Sequence, residues 1–335
     1  MFNQNIQAHY VTAAIATAGV LGAGYAYYRY QKNKLPTVWT HVGKLEDLYV
    51  YPIKSCGPVT VDRADCTYLG LKDGWLRDRV LMVVDEKNHF INARVYPELL
   101  LVRPTVKSSI LTLRHVDMEP LYVNLAEVIE LQKPFKATVW TCTVPVLDCG
   151  REASEWFSKL LNRADIKFRL VYYSNQKCRE LRDPANIKYY KFRDTDTGAL
   201  PDESSFNLIN KASIDDLNSR LGDVQVDHRY FRPNFTVKGP IIYDEDKWKF
   251  VKIGESVFEV LKPCTRCIMT TIDPETGIRN PKTEPLEMLR SYRLMEDPVE
   301  RKFAGNSPRM GIQMALRSGI GKTINLHDDV YVSYN

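Results

Sequence analysis

From Val42 onward the chain falls into short runs of alternating apolar and polar residues, each closed by glycine, proline or aspartate. Alternation with a period of two puts successive side chains on opposite faces, so it builds strands with one buried face. Residues 44–51, 59–68, 80–84, 100–106, 110–114, 121–124 and 136–140 read as strands, and later 235–238, 251–253, 256–261, 269–272, 323–326 and 330–332. So many short strands without long helices between them predict a barrel or curled sheet. The expected fold class is α+β, mainly β.

Helices are few. Asp148-Cys149-Gly150 leads into a helix over 152–162, in which Ala153, Trp156, Phe157, Leu160 and Leu161 fall at helical spacing. That stripe assigns Trp156 and Phe157 to the core, and Asp148 to a cap or turn. Residues 213–222 carry a cap, a helical run and a terminating glycine, and 286–290 a short helix. Residues 174–203 are polar and read as a surface loop or inter-domain crossing, with Arg179, Arg182, Asp183, Asp194 and Asp196. No repeat or low-complexity tract is present.

At 335 residues, with 44% hydrophobic and 26% charged side chains, the chain has the composition of an ordered protein with a large core. A formal charge of +5 suits an anionic ligand or an acidic partner. Without a long Lys/Arg run it gives no sign of nucleic-acid binding. The seven cysteines, at 56, 66, 142, 149, 178, 264 and 267, are odd in number and irregular in spacing. Such a set argues for a reducing compartment and against a disulfide framework.

Residues 10–28, YVTAAIATAGVLGAGYAYY, hold nineteen residues without a formal charge. As a helix rising about 1.5 Å per residue they come close to crossing a hydrocarbon core. Tyrosines stand near both ends, and Arg29, Lys32 and Lys34 follow. The alternative is a cleaved signal peptide, which carries its positive charge before the apolar run. Here the charge comes after it, so the expectation is an N-terminal transmembrane helix over 10–28, within an anchor and linker over 1–35, with the large C-terminal part in the cytosol. Residues 32–41 read as a linker.

The stretch Pro263-Cys264-Thr265-Arg266-Cys267-Ile268-Met269-Thr270-Thr271-Ile272-Asp273-Pro274-Glu275-Thr276-Gly277 carries the chemistry. A thiol beside a guanidinium is biased towards thiolate, a good ligand for a soft metal. Cys264 and Cys267 also have the spacing of half a zinc site, yet no second pair stands at suitable spacing. A redox pair would need a βαβ context that is missing. Walker, GxSxG, HExxH and strand-linked GxGxxG motifs are absent.

Together with Tyr51-Pro52-Ile53-Lys54-Ser55, Leu76-Arg77-Asp78-Arg79 and Phe231-Arg232-Pro233-Asn234, that stretch resembles the amidoxime-reducing component family. These are mitochondrial molybdenum enzymes of the MOSC superfamily, and the resemblance runs in order from about Val42 to the C-terminus. It implies an N-terminal MOSC-associated β-rich domain over 42–180 and a MOSC-type β-barrel domain over 185–335.

It also implies that Cys267 is the molybdenum ligand and that Cys264 needs no catalytic role. A molybdopterin cofactor would be held by Lys54, Ser55, Arg79, Ser204, Arg232, Thr265, Arg266 and Gln313. Lysine and arginine offset phosphate charge there, and serine donates hydrogen bonds. The chain departs from the family pattern where Ser307-Pro308-Arg309-Met310-Gly311-Ile312-Gln313 stands for Ser-Pro-Leu-Phe-Gly-Gln-Tyr, putting Gln313 in place of a tyrosine, and where Glu203 stands for a small hydroxyl residue. Gln313 bears on substrate fit more than on cofactor binding, and Glu203 adds negative charge beside a phosphate pocket next to Ser204.

The activity implied is reduction of N-hydroxylated compounds, with electrons from NADH through cytochrome b5 reductase and cytochrome b5. The location implied is the outer mitochondrial membrane, although the anchor suits the endoplasmic reticulum equally. Three alternatives follow: another MOSC-family oxidoreductase, a non-enzymatic molybdopterin carrier on a membrane, and a zinc-stabilised β domain.

Overall fold

The computed structural model describes residues 34–162, 167–181 and 184–335, and residues 40–335 form one compact unit. Among the described residues, seven strands close into a barrel. Its order is Phe235–Lys238, Phe206–Asn210, Arg309–Ser318, Ser256–Thr265, Phe250–Ile253, Asp329–Ser333 and Thr40–Val50, which returns to Phe235–Lys238. The strand Thr40–Val50 makes the seam: Lys44 faces Asp329 on one side and Lys238 on the other. Phe206, Phe235 and Phe258 fill the barrel, with ring centroids 5.0–5.9 Å apart.

All barrel pairings are antiparallel except one. Phe206–Asn210 runs parallel to Phe235–Lys238, which requires a crossover, and the helix Lys211–Leu221 supplies it. Asn210 ends the strand and caps the helix, its side chain accepting from the Ala212 N–H at 3.1 Å. Gly222 ends the helix, as expected. A second core lies under an antiparallel sheet of Phe135–Val139, Cys142–Asp148, Arg169–Tyr173 and Leu81–Val84, covered by the helix Arg151–Leu160. Trp156 and Phe157 are buried in that core, and the Trp156 indole N–H donates to the Glu119 carbonyl.

Several expectations need correction. The strand expected over 269–272 is a 3-10 turn, Ile268–Thr271. The Thr270 and Thr271 hydroxyls donate to the carbonyls of Cys267 and Ile268, a local competitor that overrides β propensity. The run 59–68 splits into Val59–Thr60 and Arg63–Thr67, and 100–106 begins as the 3-10 helix Pro97–Leu101. The polar segment 174–203 is not simply a surface loop. Arg179, Asp196, Ala199 and Leu200 are buried, because Asp196 forms a two-pronged ion pair with Arg317 and Arg179 donates to the Pro201 carbonyl. Arg182 and Asp183 lie outside the described residues, as does the expected anchor over 10–28. No helix among the described residues is long and apolar enough to cross a membrane.

Candidate active site

Where the barrel meets the second core there is a cavity of about 430 Å³. Lys54, Ser55, Arg79, Ser204, Arg232, Thr265, Arg266, Cys267 and Gln313 all line it, so the structure brings together every site residue expected from the sequence. Five cations (Lys54, Arg79, Arg94, Arg232 and Arg266) share its wall with two carboxylates, Asp202 and Glu203. That surplus of positive charge suits an anion.

The backbone at this site is held in unusual conformations. Ser55, Arg79 and Arg232 have φ of 72°, 48° and 52°, in the left-handed region that side chains other than glycine rarely enter. Hydrogen bonds hold the segments there. The Arg79 N–H donates to the Tyr51 carbonyl at 2.7 Å, and the Lys54 N–H to the Leu81 carbonyl at 2.7 Å. In the strand Arg309–Ser318, Gly311 is required: at φ of 73°, a Cβ there would lie 2.5 Å from the Leu208 carbonyl oxygen.

Beneath the cations lies a buried polar hub. Asp78 is 1% exposed and accepts from the Tyr51 N–H at 2.8 Å, the Asn234 side-chain amide at 3.0 Å and the Arg79 guanidinium at 2.6 Å. Burial disfavours the charge on Arg79, but the Asp78 carboxylate outweighs it and raises the Arg79 pKa. The Arg79 and Arg232 guanidinium carbons lie 4.6 and 4.4 Å from the Tyr51 ring centroid, within cation–π reach. Among the described residues Arg232 pairs with no carboxylate of its own. Burial pushes its pKa down to about 10, and its Nη2 is buried without a hydrogen-bond partner. A buried guanidinium nitrogen without an acceptor is costly unless a ligand supplies one.

Lys54 differs. Its ammonium donates to the Leu200 carbonyl at 2.9 Å and pairs with Asp202. Burial depresses the Lys54 pKa to about 8, although Asp202 pulls it upward. Burial also opposes the charge on Asp202, but Lys54 overrides it and holds that carboxyl well below the usual range. Trp140 donates to Asp202 through Nε1 at 3.0 Å, and Arg94 lies over the Trp140 ring at 4.8 Å.

Arg266 does something the sequence did not indicate. It is 6% exposed, and its guanidinium donates to the Met310 carbonyl at 2.6 and 2.8 Å and to the Phe231 carbonyl at 2.7 Å. It ties three segments together behind the cavity. Ser204 likewise donates its hydroxyl proton to the Phe206 carbonyl, at 3.0 Å.

Cys264 is buried, whereas Cys267 is half-buried on the cavity wall. The Cys267 carbonyl accepts from the Thr270 N–H at 3.0 Å, which fixes the residue while its thiol stays unoxidised. No group of three or more His, Cys, Asp and Glu side chains among the described residues is arranged to hold a metal, so zinc finds no four-ligand set at Cys264 and Cys267. Tyr51, Asp78, Arg94, Trp140, Asp202 and Asn234 belong to the site and were not singled out from the sequence. Tyr51, Asp78 and Asn234 stand inside the quoted motifs, so their positions carried the signal. Arg94 and Trp140 are isolated residues without one.

The model of the MOSC N-terminal beta barrel domain matches residues 42–164, and that of the MOSC domain matches residues 195–331. The mitochondrial amidoxime reducing component 2 of Bos taurus is 39% identical over 293 residues, covering 87% of this chain and 83% of the relative. The chain belongs to the amidoxime-reducing component family. The human mitochondrial amidoxime-reducing component 1 is 35% identical over 328 residues, covering 96% of this chain and 92% of the relative. The mouse component 1 is 37% identical over 297 residues.

Proposed function

We propose that this family member is a molybdenum-cofactor-dependent reductase of N-hydroxylated compounds such as amidoximes. The observation that carries the reading is a single cavity in which the unpaired Cys267 thiol shares a wall with five cations. The residues fit the cofactor. Arg232 keeps a buried, unpartnered Nη2 for an anionic oxygen, and a thiol is the soft donor that molybdenum takes.

Lys54, Ser55, Arg79 and Arg232 hold the phosphate and pterin, Thr265 and Gln313 flank them, and Cys267 ligates the metal. Arg266 and Ser204 serve by positioning the strands around it. Bound molybdenum supplies the two-electron redox chemistry. In the net reaction the N–O bond breaks, two electrons and two protons are consumed, and an amidine and water leave.

Electrons come from NADH through cytochrome b5 reductase and cytochrome b5, a reading supported by the family and by the net charge of +5, which favours an acidic partner. The relatives' names support a mitochondrial location. On this reading residues 10–28 anchor the protein in the outer membrane, with the domains that follow them facing the cytosol.

Metal analysis of the purified full-length chain tests the reading. Wild type should hold near-stoichiometric molybdenum and reduce benzamidoxime with a chemical or enzymatic donor. Cys267→Ser should lose the activity, while pterin bound through Lys54, Arg79 and Arg232 remains. Zinc without molybdenum, from cells that make the cofactor, would overturn it.

A further inference from the structure

Glu203 and Gln313, the two departures from the family pattern, lie 110 positions apart yet touch each other. Gln313 Nε2 donates to a Glu203 carboxylate oxygen at 2.8 Å. The Lys262 ammonium, itself 6% exposed, donates to both Glu203 oxygens at 2.9 Å. Lys262 and Gln313 face each other across neighbouring strands, which fixes the row.

The direction of this chain of bonds has a consequence. A carboxylate accepts and does not donate, so only the NH2 end of the Gln313 amide can face Glu203. The amide orientation is thereby dictated by chemistry. Its other end, Oε1, is buried without a partner on a residue 8% exposed that lines the cavity. A buried carbonyl oxygen without a donor is costly, and a ligand N–H would satisfy it.

We infer that Gln313, held in register by Glu203 and Lys262, is the substrate-reading acceptor of the cavity, and selects N-hydroxylated bases that carry an N–H donor beside the N–O bond. Amidoximes and N-hydroxyguanidines have that amino group; N,N-dialkylated analogues do not. As the N–O bond breaks, the developing amidine becomes more basic, and its protonated form is a stronger donor. The contact therefore strengthens along the reaction and raises kcat as well as lowering KM. The inference rests on the reductase reading above.

The test measures kcat and KM of the molybdenum-loaded full-length protein with benzamidoxime and with N,N-dimethylbenzamidoxime, alongside metal and pterin content. Gln313→Met should lower the preference for benzamidoxime, as a ratio of kcat/KM values, about tenfold, the cost of leaving one neutral hydrogen bond unmade. Glu203→Gln gives a second reading. Its amide oxygen would accept from the Lys262 ammonium and its NH2 would donate to Gln313, putting the Gln313 NH2 where Oε1 now stands and lowering the same preference. An unchanged ratio in both variants, with normal metal content, would overturn the inference while leaving the reductase intact. Loss of pterin in Gln313→Met would overturn it too, by assigning Oε1 to the cofactor. A wild type inactive on both substrates would instead sink the reductase reading.

Discussion

Replacing Asp78 by alanine would remove the carboxylate under the cation cluster. The Arg79 side chain is 12% exposed, so its charge would be left without a counter-ion in a largely dry site. Breaking a buried pair from one side costs about 3–5 kcal/mol. Arg79 would keep the Arg232 carbonyl at 3.0 Å and the Tyr51 ring, which places the loss toward the lower part of that range. The Tyr51 N–H would lose its acceptor at 2.8 Å, which pushes the other way. At about 2 °C per kcal/mol for a unit of this size, the melting temperature should fall by roughly 6–10 °C.

The assay is thermal and urea unfolding of wild type, Asp78→Ala, Arg79→Met and the double variant. Removing both charges together should recover much of the loss, because the double variant buries no unpaired ion. A single-variant loss under about 1 kcal/mol would refute the argument. So would a double variant as unstable as the sum of the singles.

Further predictions concern other buried groups. Glu245 is fully buried, and burial raises its pKa from 4.5 to about 7 against donors from Asn210 and Ser213. The folded state then holds more protons between those values, so stability falls as pH rises from about 4.5 to 7. Glu245→Gln should gain on wild type by about 3 kcal/mol between pH 4.5 and 8, read from urea midpoints at each pH; a constant difference would refute this. Gly311→Ala should cost at least about 1–2 kcal/mol from its left-handed backbone alone, and more from the 2.5 Å approach to Leu208. A melting temperature within about 1 °C of wild type would contradict that. Arg317→Met should cost about 3–5 kcal/mol, since Asp196, fully buried, would lose both of its guanidinium bonds; urea denaturation measures it.

The sequence disclosed the site's members better than their tasks. Lys54, Arg79, Arg232 and Cys267 sit in local motifs whose residue types suit an anion and a soft metal. Arg266 lines the cavity, yet adjacency to Cys267 in sequence says nothing about where a long side chain ends; its donors go to Met310 and Phe231. Asp202 was invisible as Lys54's partner because 148 positions separate them. Alternation marked the barrel strand at 251–253, where Val251 and Ile253 are buried and Lys252 between them is not. It failed for Phe206–Asn210, whose residues are nearly all buried, as expected of a strand in a parallel pair covered by a helix. The 269–272 run failed for the opposite reason: short-range hydroxyl bonds decided the backbone.

The seam formed by Thr40–Val50 orders events in time. One partner of this strand is Phe235–Lys238, and the barrel closes only when the other, Asp329–Ser333, pairs with it. Until then one edge of the barrel stays open, with unpaired N–H and C=O groups exposed to other chains. Tyr51, Lys54 and Ser55 follow closely on that strand, so closing the barrel and setting that wall of the cavity are one event. A chain cut before Asp329–Ser333 should accordingly lose the formed cavity together with the closed barrel, which limited proteolysis would read.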